Sequence, residues 1–207
     1  MTAVEDAVKV TRTRYHHGQL REALVATGLE LARTGGPSAV VLREAARRLA
    51  VSPAAGYRHF ADREELLLAV RREALGALGL RMLEAARSTD PLGHFRGLGE
   101  GYVRFALEEP GLFRTTAAPG VLVRPGQAPQ GRDPFGLLSA ALDGLVAAGL
   151  LPAERRVHAD AVAWSAVHGL AVLLLDGLLP PQDADALLGR TLDAVAFGLL
   201  PGQPPSC

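Results

Sequence analysis

Residues 42–60 read LREAARRLAVSPAAGYRHF, and this stretch decides the fold. Ser52 is followed by Pro53, which is a strong helix start signal, because the serine hydroxyl accepts an orphan N–H while proline has none to satisfy. The pattern therefore predicts two helices joined by a short turn. In the first of them, apolar residues recur at helical spacing: Leu42, Ala45, Ala46 and Leu49.

This helical hairpin has a basic second half and the size to lay one helix in the major groove of DNA. Ala46 is small where the two helices must cross closely, and Val51 can fill the angle between them. Hairpins of this shape also occur in proteins that bind no nucleic acid. The shape alone therefore leaves DNA binding and a purely structural role open.

Capping signals on both sides of the hairpin predict further helices and leave little room for strands. Apolar residues recur at helical spacing over 20–31, and Gly35-Gly36 supplies a left-handed stop. Downstream, Asp62 with Glu65 is a variant of the capping box that opens a long fourth helix. We therefore expect an all-α fold.

The second half of the chain repeats the same start signal. Asp-Pro pairs at 90–91 and 133–134 each predict the beginning of an amphipathic helix. A short turn is expected around Leu112-Phe113, and two long helices are expected over about 154–178 and 183–200.

Charge is distributed unevenly along a chain whose formal net charge is zero. Residues 1–72 contain 12 Lys and Arg against 8 Asp and Glu, whereas residues 73–207 contain 10 against 14. A basic segment beside an acidic one points to a nucleic-acid partner. Genome composition explains the abundance of arginine equally well.

Several classes of protein are disfavoured by composition. The lone cysteine, Cys207, excludes an internal disulfide framework and fits a reducing cytoplasm, where we expect the protein to be located. The longest uncharged apolar stretch, 161–175, is shorter than a membrane span requires, so no membrane association is expected. No nucleophile elbow, phosphate-binding glycine loop or metal motif is found, so we expect no enzyme, no catalytic residue, no cofactor and no metal.

Three ordered segments resemble the tetracycline-repressor (TetR) family of regulators: Tyr15–Arg21, Tyr57–Phe60 and Arg63–Leu67. Trp164 with His168-Gly169 is similar to the Trp-His-Gly type of C-terminal sensor domain. The resemblance implies a flexible basic arm over 1–15, a three-helix helix-turn-helix DNA-binding domain over 16–72, and a helical ligand-sensing and dimerisation domain over 73–207. It implies a sequence-specific transcriptional regulator, most simply a repressor that a small-molecule effector releases from its operator.

The resemblance places the recognition helix at Ser52–His59. Ser52, Tyr57 and His59 would then touch phosphates or nearby bases, and Arg63 would grip the DNA backbone. The remaining contacts would come from the start of the helix, its alanines and the surrounding guanidinium groups: Pro53, Ala54, Ala55, Arg43, Arg58, and the arm residues Arg12 and Arg14. For each arginine alone, a solvated surface charge fits equally well.

Two residues depart from the family pattern. Val41 stands where relatives often place a serine or threonine that caps the second helix, so this cap is expected to be missing, with Ser38 as an uncertain substitute. Gly56 lies inside the recognition helix and is expected to cost roughly 1 kcal/mol of helix stability relative to alanine. We therefore expect the helix-turn-helix to become better ordered when it binds DNA.

The first of the two long C-terminal helices is apolar on more than one face. Residues in steps of four and three, from Val157 to Leu178, form a helix-packing seam, and Val162 and Leu174 add apolar surface elsewhere. A second copy of the chain, in a homodimer, is the simplest way to bury this apolar surface. The alternative is that a thick core of the monomer buries it. The expected interface residues are Val157, Ala161, Ala171, Leu175, Leu188, Leu192 and Val195.

The resemblance also implies an effector pocket in the C-terminal domain, for a largely apolar small molecule. His168 is the most informative candidate, because an imidazole among apolar residues must find a polar partner. Each of the candidates is more often plain core than pocket lining, and a closely packed domain would favour a dimeric DNA-binding protein without an effector. The candidates are Phe95, Tyr102, Phe105, Phe113, Phe135, Leu142, Trp164 and His168.

Overall fold

A computed structural model of the chain describes residues 17–117, 128–129 and 131–200, and within these ranges it contains helices and no strand. The expectation of an all-α fold is confirmed. The helices are α1 (His17–Gly35), α2 (Leu42–Arg48), α3 (Pro53–Tyr57), α4 (Arg63–Ala85), α5 (Pro91–Glu108), α6 (Pro110–Thr116), α7 (Pro134–Ala147), α8 (Ala159–Leu175) and α9 (Ala184–Leu199). Short 3-10 turns occur at Pro37–Ala39, Ala153–Arg155 and Pro181–Asp183.

The helix starts lie where the capping signals predict them. Ser52 Oγ accepts a hydrogen bond from the Ala55 amide at 3.3 Å, which caps α3. Asp62 accepts from the Glu65 amide at 2.8 Å, and the Glu65 carboxylate in turn accepts from the Ala61 amide at 2.6 Å, as in a capping box. Asp90 and Asp133 cap α5 and α7 in the same way.

Two helices depart from the sequence expectation. The predicted turn at Leu112-Phe113 is the middle of α6, where both side chains are at most 2% exposed. The helix expected from about residue 154 begins only at Ala159, because His158 adopts a left-handed backbone with φ 62°. As a result Val157 lies outside the helix and is 67% exposed.

The long helix α4 joins the N-terminal and C-terminal parts of the chain. We call α1–α3 with the first turns of α4 the head, and the rest of the described chain the body. The expected boundary between residues 72 and 73 falls inside α4, which packs against α1 in the head and against α5, α6 and α7 in the body. Motion of α4 is therefore shared by both parts.

One continuous core of buried apolar side chains runs through both parts. In the head, Leu24, Phe60 and Leu66 are at most 1% exposed, and in the body Leu98 and Leu142 are equally buried. Burial of side chains of this size contributes about 1.5–3 kcal/mol each before the entropic cost of folding is counted. None of the helices in the described ranges is both long and apolar enough to cross a membrane.

Candidate nucleic-acid interface and effector pocket

The short helix α3 exposes one side and buries the other. Ala54 and Tyr57 face solvent, Tyr57 with 46% of its surface exposed. Ala55, expected to contact DNA, is only 8% exposed and packs into the head, so the structure corrects its assignment as a reading side chain. The five-residue helix is shorter than the expected Ser52–His59 because Arg58 already ends it.

Gly56 lies where α3 crosses α2. A Cβ atom built at this position would be 3.3 Å from Leu42 Cδ1 and 3.8 Å from Ala46 Cβ, so the two helices approach to contact distance. Gly56 therefore allows close packing within the helical hairpin, whereas the sequence analysis predicted only that it lowers helix stability. Ala46, itself fully buried, is the matching small residue on α2.

The helical hairpin contains four arginines, three on α2 and one at the end of α3, and two of them are already engaged. Arg47 and Arg48 both bond the Glu44 carboxylate, at 2.8 and 3.1 Å, and these bonds lower the pKa of Glu44 to about 2. Arg43 and Arg58 are exposed and form no ion pair within the described residues. They are the two guanidinium groups of the hairpin that remain available to an external anion.

Arg63 has a partner within the head. Its Nη2 donates to the Pro37 carbonyl at 2.6 Å, and its Nη1 lies 3.3 Å from Glu64. Arg63 therefore holds the start of α4 against the turn that precedes α2, a role that the sequence did not suggest. His59 is half-buried, Ser52 and Pro53 are exposed at the start of α3, and the predicted arm residues Arg12 and Arg14 lie outside the described ranges.

The missing cap on α2 is confirmed. Val41 occupies the N-cap position with φ −125°, and no side chain caps the helix there. Ser38 does not replace it, because its hydroxyl donates backward to the Gly35 carbonyl at 3.2 Å.

Among its described residues, the body has an inner cavity and an outer one that differ in character. The inner one measures about 20 Å³, enough for about one water molecule, and its wall is almost entirely apolar. The outer one measures about 320 Å³, within the usual range for a small-molecule pocket, and lies between α6 and α8. The outer cavity, which we call the α6–α8 pocket, is lined by Phe113, Arg114, Ala117, His168, Val172, Leu175 and Asp176.

The predicted effector residues are divided between these cavities and the core. Phe95, Tyr102 and Trp164 line the inner cavity, whereas Phe113 and His168 line the α6–α8 pocket. The other three line neither: Phe105 and Leu142 are buried, and Phe135 is half-buried against the Trp164 ring at 5.7 Å. The inner cavity is closely packed, which disfavours it as a preformed ligand site.

A partly buried hydrogen bond joins a residue of the inner cavity to a residue of the outer one. The Tyr102 hydroxyl and His168 Nδ1 are 2.8 Å apart, which gives the imidazole the polar partner that its apolar surroundings require. Burial raises the pKa of Tyr102 and lowers the pKa of His168, so both groups are held in their neutral forms. The edge of Tyr102 also packs against Phe113 and Trp164, at centroid distances of 5.5 and 5.0 Å.

Helix α6 connects the α6–α8 pocket to the head. At one end Phe113 and Arg114 line the pocket, where Arg114 pairs with Asp176 at 3.0 Å. At the other end Gly111 lies directly on α1: an added Cβ would be 2.2 Å from the Ala32 carbonyl oxygen. The pair of Arg33 with Glu109, at 2.9 Å, reinforces this junction.

Helices α8 and α9 expose large apolar side chains, and on α9 these lie beside the exposed charged residues Arg190 and Asp193. Val162, Leu173 and Phe197 are 52%, 40% and 51% exposed. Gly169 on α8 and Gly189 on α9 have no described atom within 4 Å of where a Cβ would lie, so this face is also smooth and open. We call it the α8–α9 face.

The structure corrects the set of residues expected at a dimer interface. Ala171, Leu188, Leu192 and Val195 are at most 7% exposed within a single chain, so they belong to its own core. Among the others, Val157 and Ala161 are exposed and Leu175 is half-buried. Leu173 on α8 and Phe197 on α9, which the sequence analysis did not select, are exposed.

Two family models match the chain. The model described as "Bacterial regulatory proteins, tetR family" matches residues 24–70, and the model described as "Tetracyclin repressor-like, C-terminal domain" matches residues 95–195. Together they match more than half of the chain. Neither tests the resemblance to the Trp-His-Gly type, which stays a prediction. No curated protein matches the chain.

Solved structures share the fold over most of the chain. A protein of unknown function from Rhodococcus sp. RHA1 is 28% identical with a TM-score of 0.74, over 91% of this chain and 100% of its own. A TetR-family regulator from Pectobacterium atrosepticum is 22% identical with a TM-score of 0.65, over 93% and 100%. A TetR variant from Acinetobacter baumannii AYE, in complex with minocycline, is 24% identical with a TM-score of 0.62, over 86% and 94%.

Proposed function

The chain belongs to the TetR family of DNA-binding transcriptional regulators, and we propose that it is a homodimeric repressor that a small molecule releases from its operator. The observation that carries this proposal is helix α6, which lines the α6–α8 pocket with Phe113 and touches the head through Gly111. A ligand that displaces the pocket end of α6 must also disturb its contact with α1.

The head supplies the operator surface. Tyr57 offers an exposed hydroxyl, Ser52 and Pro53 begin α3, and the unpaired guanidinium groups of Arg43 and Arg58 flank it. Such groups bind phosphate oxygens and position a helix in the major groove. Ala54 is the only exposed alanine of α3, so the helix itself makes few contacts with base edges. Most of the contacts that recognise bases then come from Arg43 and Arg58.

The α8–α9 face supplies the dimer contact. An exposed apolar face on two packed helices is covered when a second copy docks the same face, which gives a four-helix interface. Two heads then bind half-sites about one duplex turn apart. A ligand that tilts α4 changes this spacing and weakens operator binding.

The α6–α8 pocket is the effector site in this proposal. Phe113, Val172 and Leu175 suit an apolar ligand body, whereas His168 and the Arg114–Asp176 pair suit a polar group at one end. A minocycline complex of a TetR variant shares the fold, which supports small-molecule binding by a body of this shape.

A mobility-shift titration against the DNA that flanks its own gene tests operator binding. Wild-type protein is expected to bind one fragment tightly at low salt, and Tyr57→Ala to bind it at least 10-fold more weakly, with Tyr57→Phe as the matched variant that removes only the hydroxyl. If wild type and Tyr57→Ala bind every fragment equally poorly at low salt, the operator proposal fails.

The salt dependence of the same titration tests the two free arginines. Each phosphate neutralised contributes roughly −0.9 to the slope of log affinity against log salt. Because a dimer carries two copies, Arg43→Ala is expected to reduce the magnitude of the slope by about 2. Arg47→Ala, which removes a guanidinium already paired with Glu44, is the control and should change the slope less.

A second candidate is a dimeric DNA-binding regulator without an effector, and an activator is the alternative to a repressor. The close packing of the inner cavity, at about 20 Å³, favours the effector-free form. A reporter gene placed behind the operator separates these functions. Deletion of the regulator raises expression for a repressor and lowers it for an activator, and a metabolite extract changes expression only if an effector exists.

A further inference from the structure

Arg71, on the inner side of α4, is a buried charge without a partner. The residue is 3% exposed, and its Nε, Nη1 and Nη2 atoms are all buried with no hydrogen-bond partner in the described part of the protein. Its neighbour Arg72, on the same helix, is exposed. The five N–H donors of the Arg71 guanidinium are therefore unused.

This arrangement is costly, because arginine does not lose its proton in proteins and a buried cation requires an anion. Burial lowers the pKa of Arg71, and no opposing charge acts on it. By contrast, the partly exposed Arg156 is engaged by Asp143, Asp160 and the Ser139 hydroxyl. The body thus satisfies Arg156 internally and leaves Arg71 unsatisfied.

The two internal segments outside the described ranges do not supply the missing anion. Residues 118–127 read APGVLVRPGQ and residue 130 is Gln130, so neither gap contains an aspartate or a glutamate. An acidic side chain from these internal positions cannot pair with Arg71. A ligand can supply the anion instead.

We propose that Arg71 anchors a binding site for an organic monocarboxylate with an apolar body. One guanidinium neutralises one carboxylate through two parallel N–H···O bonds, whereas a doubly charged phosphate would leave a net buried charge. Further along the same side of α4, Ala74, Leu75 and Leu78 are at most 1% exposed, so a ligand that reaches Arg71 displaces packed apolar side chains and is itself surrounded by them. The charge and the apolar surroundings of Arg71 together define the expected ligand as a monocarboxylic acid with an apolar body.

The regulatory consequence rests on the proposed function. Arg71 lies about two turns along α4 from Arg63, whose Nη2 bonds the Pro37 carbonyl in the head. Because α4 also forms part of the head, a carboxylate bound at Arg71 can change the orientation of α4 and thereby the position of the head.

Thermal unfolding tests the site without DNA. The probes are hexanoate, octanoate, benzoate and salicylate, each compared with its neutral amide, on wild type, Arg71→Met and the control Arg72→Met. At least one acid is expected to raise the Tm of wild type and of Arg72→Met, while its amide does not. Arg71→Met is expected to lose this response, with an affinity at least about 30-fold weaker by calorimetry.

The ligand-free proteins give a second readout. Replacing an unpaired buried charge with an apolar side chain of similar length stabilises a protein, so Arg71→Met should unfold roughly 3–10 °C higher than wild type. If Arg71→Met fails to fold, Arg71→Lys replaces it in the test. This variant keeps the charge without the planar guanidinium group, so its Tm should respond only weakly to the acid. A lower Tm for Arg71→Met, an equal response to the acid in Arg71→Met, or no response of wild type to any acid overturns the proposal.

These outcomes are separate from those of operator binding. Wild-type protein that binds its operator but shows no shift with any acid contradicts only the Arg71 site. Protein that shows the acid shift but binds no operator fragment contradicts the proposed repressor function and leaves the site intact.

Discussion

The exposed surface of α3 and the α8–α9 face differ in the groups that each leaves without a partner in the chain. Around α3, the exposed groups are the Tyr57 side chain and the unpaired guanidinium groups of Arg43 and Arg58. On the α8–α9 face they are the apolar side chains of Leu173 and Phe197. Both surfaces are exposed, yet the groups without a partner are cations and hydrogen-bond donors on one and large apolar side chains on the other.

This difference indicates the kind of partner each surface takes. Unpaired cations gain most from a polyanion, and their binding weakens steeply with salt. An apolar face gains most from another apolar face, and its association depends little on salt. A regulator that binds DNA as a dimer needs both surfaces on one chain. Here α5 packs against α8 and α9, and α4 and α6 link α5 to α1 in the head.

The largest expected effect comes from placing a charge on the α8–α9 face. Phe197→Asp should convert the dimer to a monomer, and operator affinity should fall at least 100-fold because the two heads lose their effective concentration at one site. Sedimentation velocity and a mobility shift measure both quantities. The control Leu107→Asp alters an exposed leucine on α5, and an unchanged dimer in Phe197→Asp would move the interface elsewhere.

The junction between the two regions is tested by Gly111→Ala. The added Cβ would lie 2.2 Å from the Ala32 carbonyl oxygen and 2.4 Å from that of Arg33, so α6 must move away from α1. Loss of this packing is expected to lower the free energy of unfolding by about 1–3 kcal/mol, measured by urea denaturation.

Gly144→Ala is the control for the urea denaturation of Gly111→Ala. Gly144, on α7, has no described atom within 4 Å of an added Cβ, so Gly144→Ala should leave stability unchanged or raise it by up to about 1 kcal/mol. If Gly111→Ala behaves like Gly144→Ala, the head and the α6–α8 pocket are not tightly coupled at Gly111.

A smaller effect is expected from the titration of His168 at the centre of the body. Burial lowers its folded pKa below that of the unfolded chain, so the unfolded state binds more protons between the two values. Stability should therefore be constant at neutral pH and fall as the pH drops below about 6.5. The charged groups that share the α6–α8 pocket are Arg114 and Asp176.

Thermal unfolding between pH 7.5 and 5.5 measures this dependence. His168→Gln keeps a side chain that can hydrogen-bond the Tyr102 hydroxyl but does not titrate, so its Tm should change less over this interval than that of wild type. Equal slopes in the two proteins would assign the acid sensitivity to other groups.

Local signals explain how much of the fold could be predicted from the sequence. The caps at Ser52, Asp62, Asp90 and Asp133 depend on one side chain and an amide three residues later, so they are readable without tertiary structure. The short helix α6 was missed because a helix of seven residues is stabilised by its buried side chains rather than by its own pattern.

Sites that depend on which side of a helix faces inward could not be predicted. Helix α8 is apolar on several sides, so its period does not distinguish the core residue Ala171 from the exposed residue Val162. Arg71 beside Arg72 looks like surface charge, and only the packing of α4 shows that one of them is buried. The orientation of Ala55 was missed for the same reason, because a five-residue helix offers too few turns to define a face.

The smallest expected effect concerns the cap that α2 lacks. Val41→Thr would place a hydroxyl at the N-cap, where it can accept from an amide in the first turn, and it should raise the free energy of unfolding by about 0.5–1 kcal/mol. Val41→Ala is the control, since it adds no acceptor.

The same substitution sharpens the description of the head. Val41 is 39% exposed, so a hydroxyl at this position can also reach a phosphate. If Val41→Thr raises operator affinity more than two-fold while Val41→Ala does not, the start of α2 faces the DNA backbone, and the polar surface around α3 extends to it. A gain in stability without a gain in affinity would confine that surface to α3 and its flanking arginines.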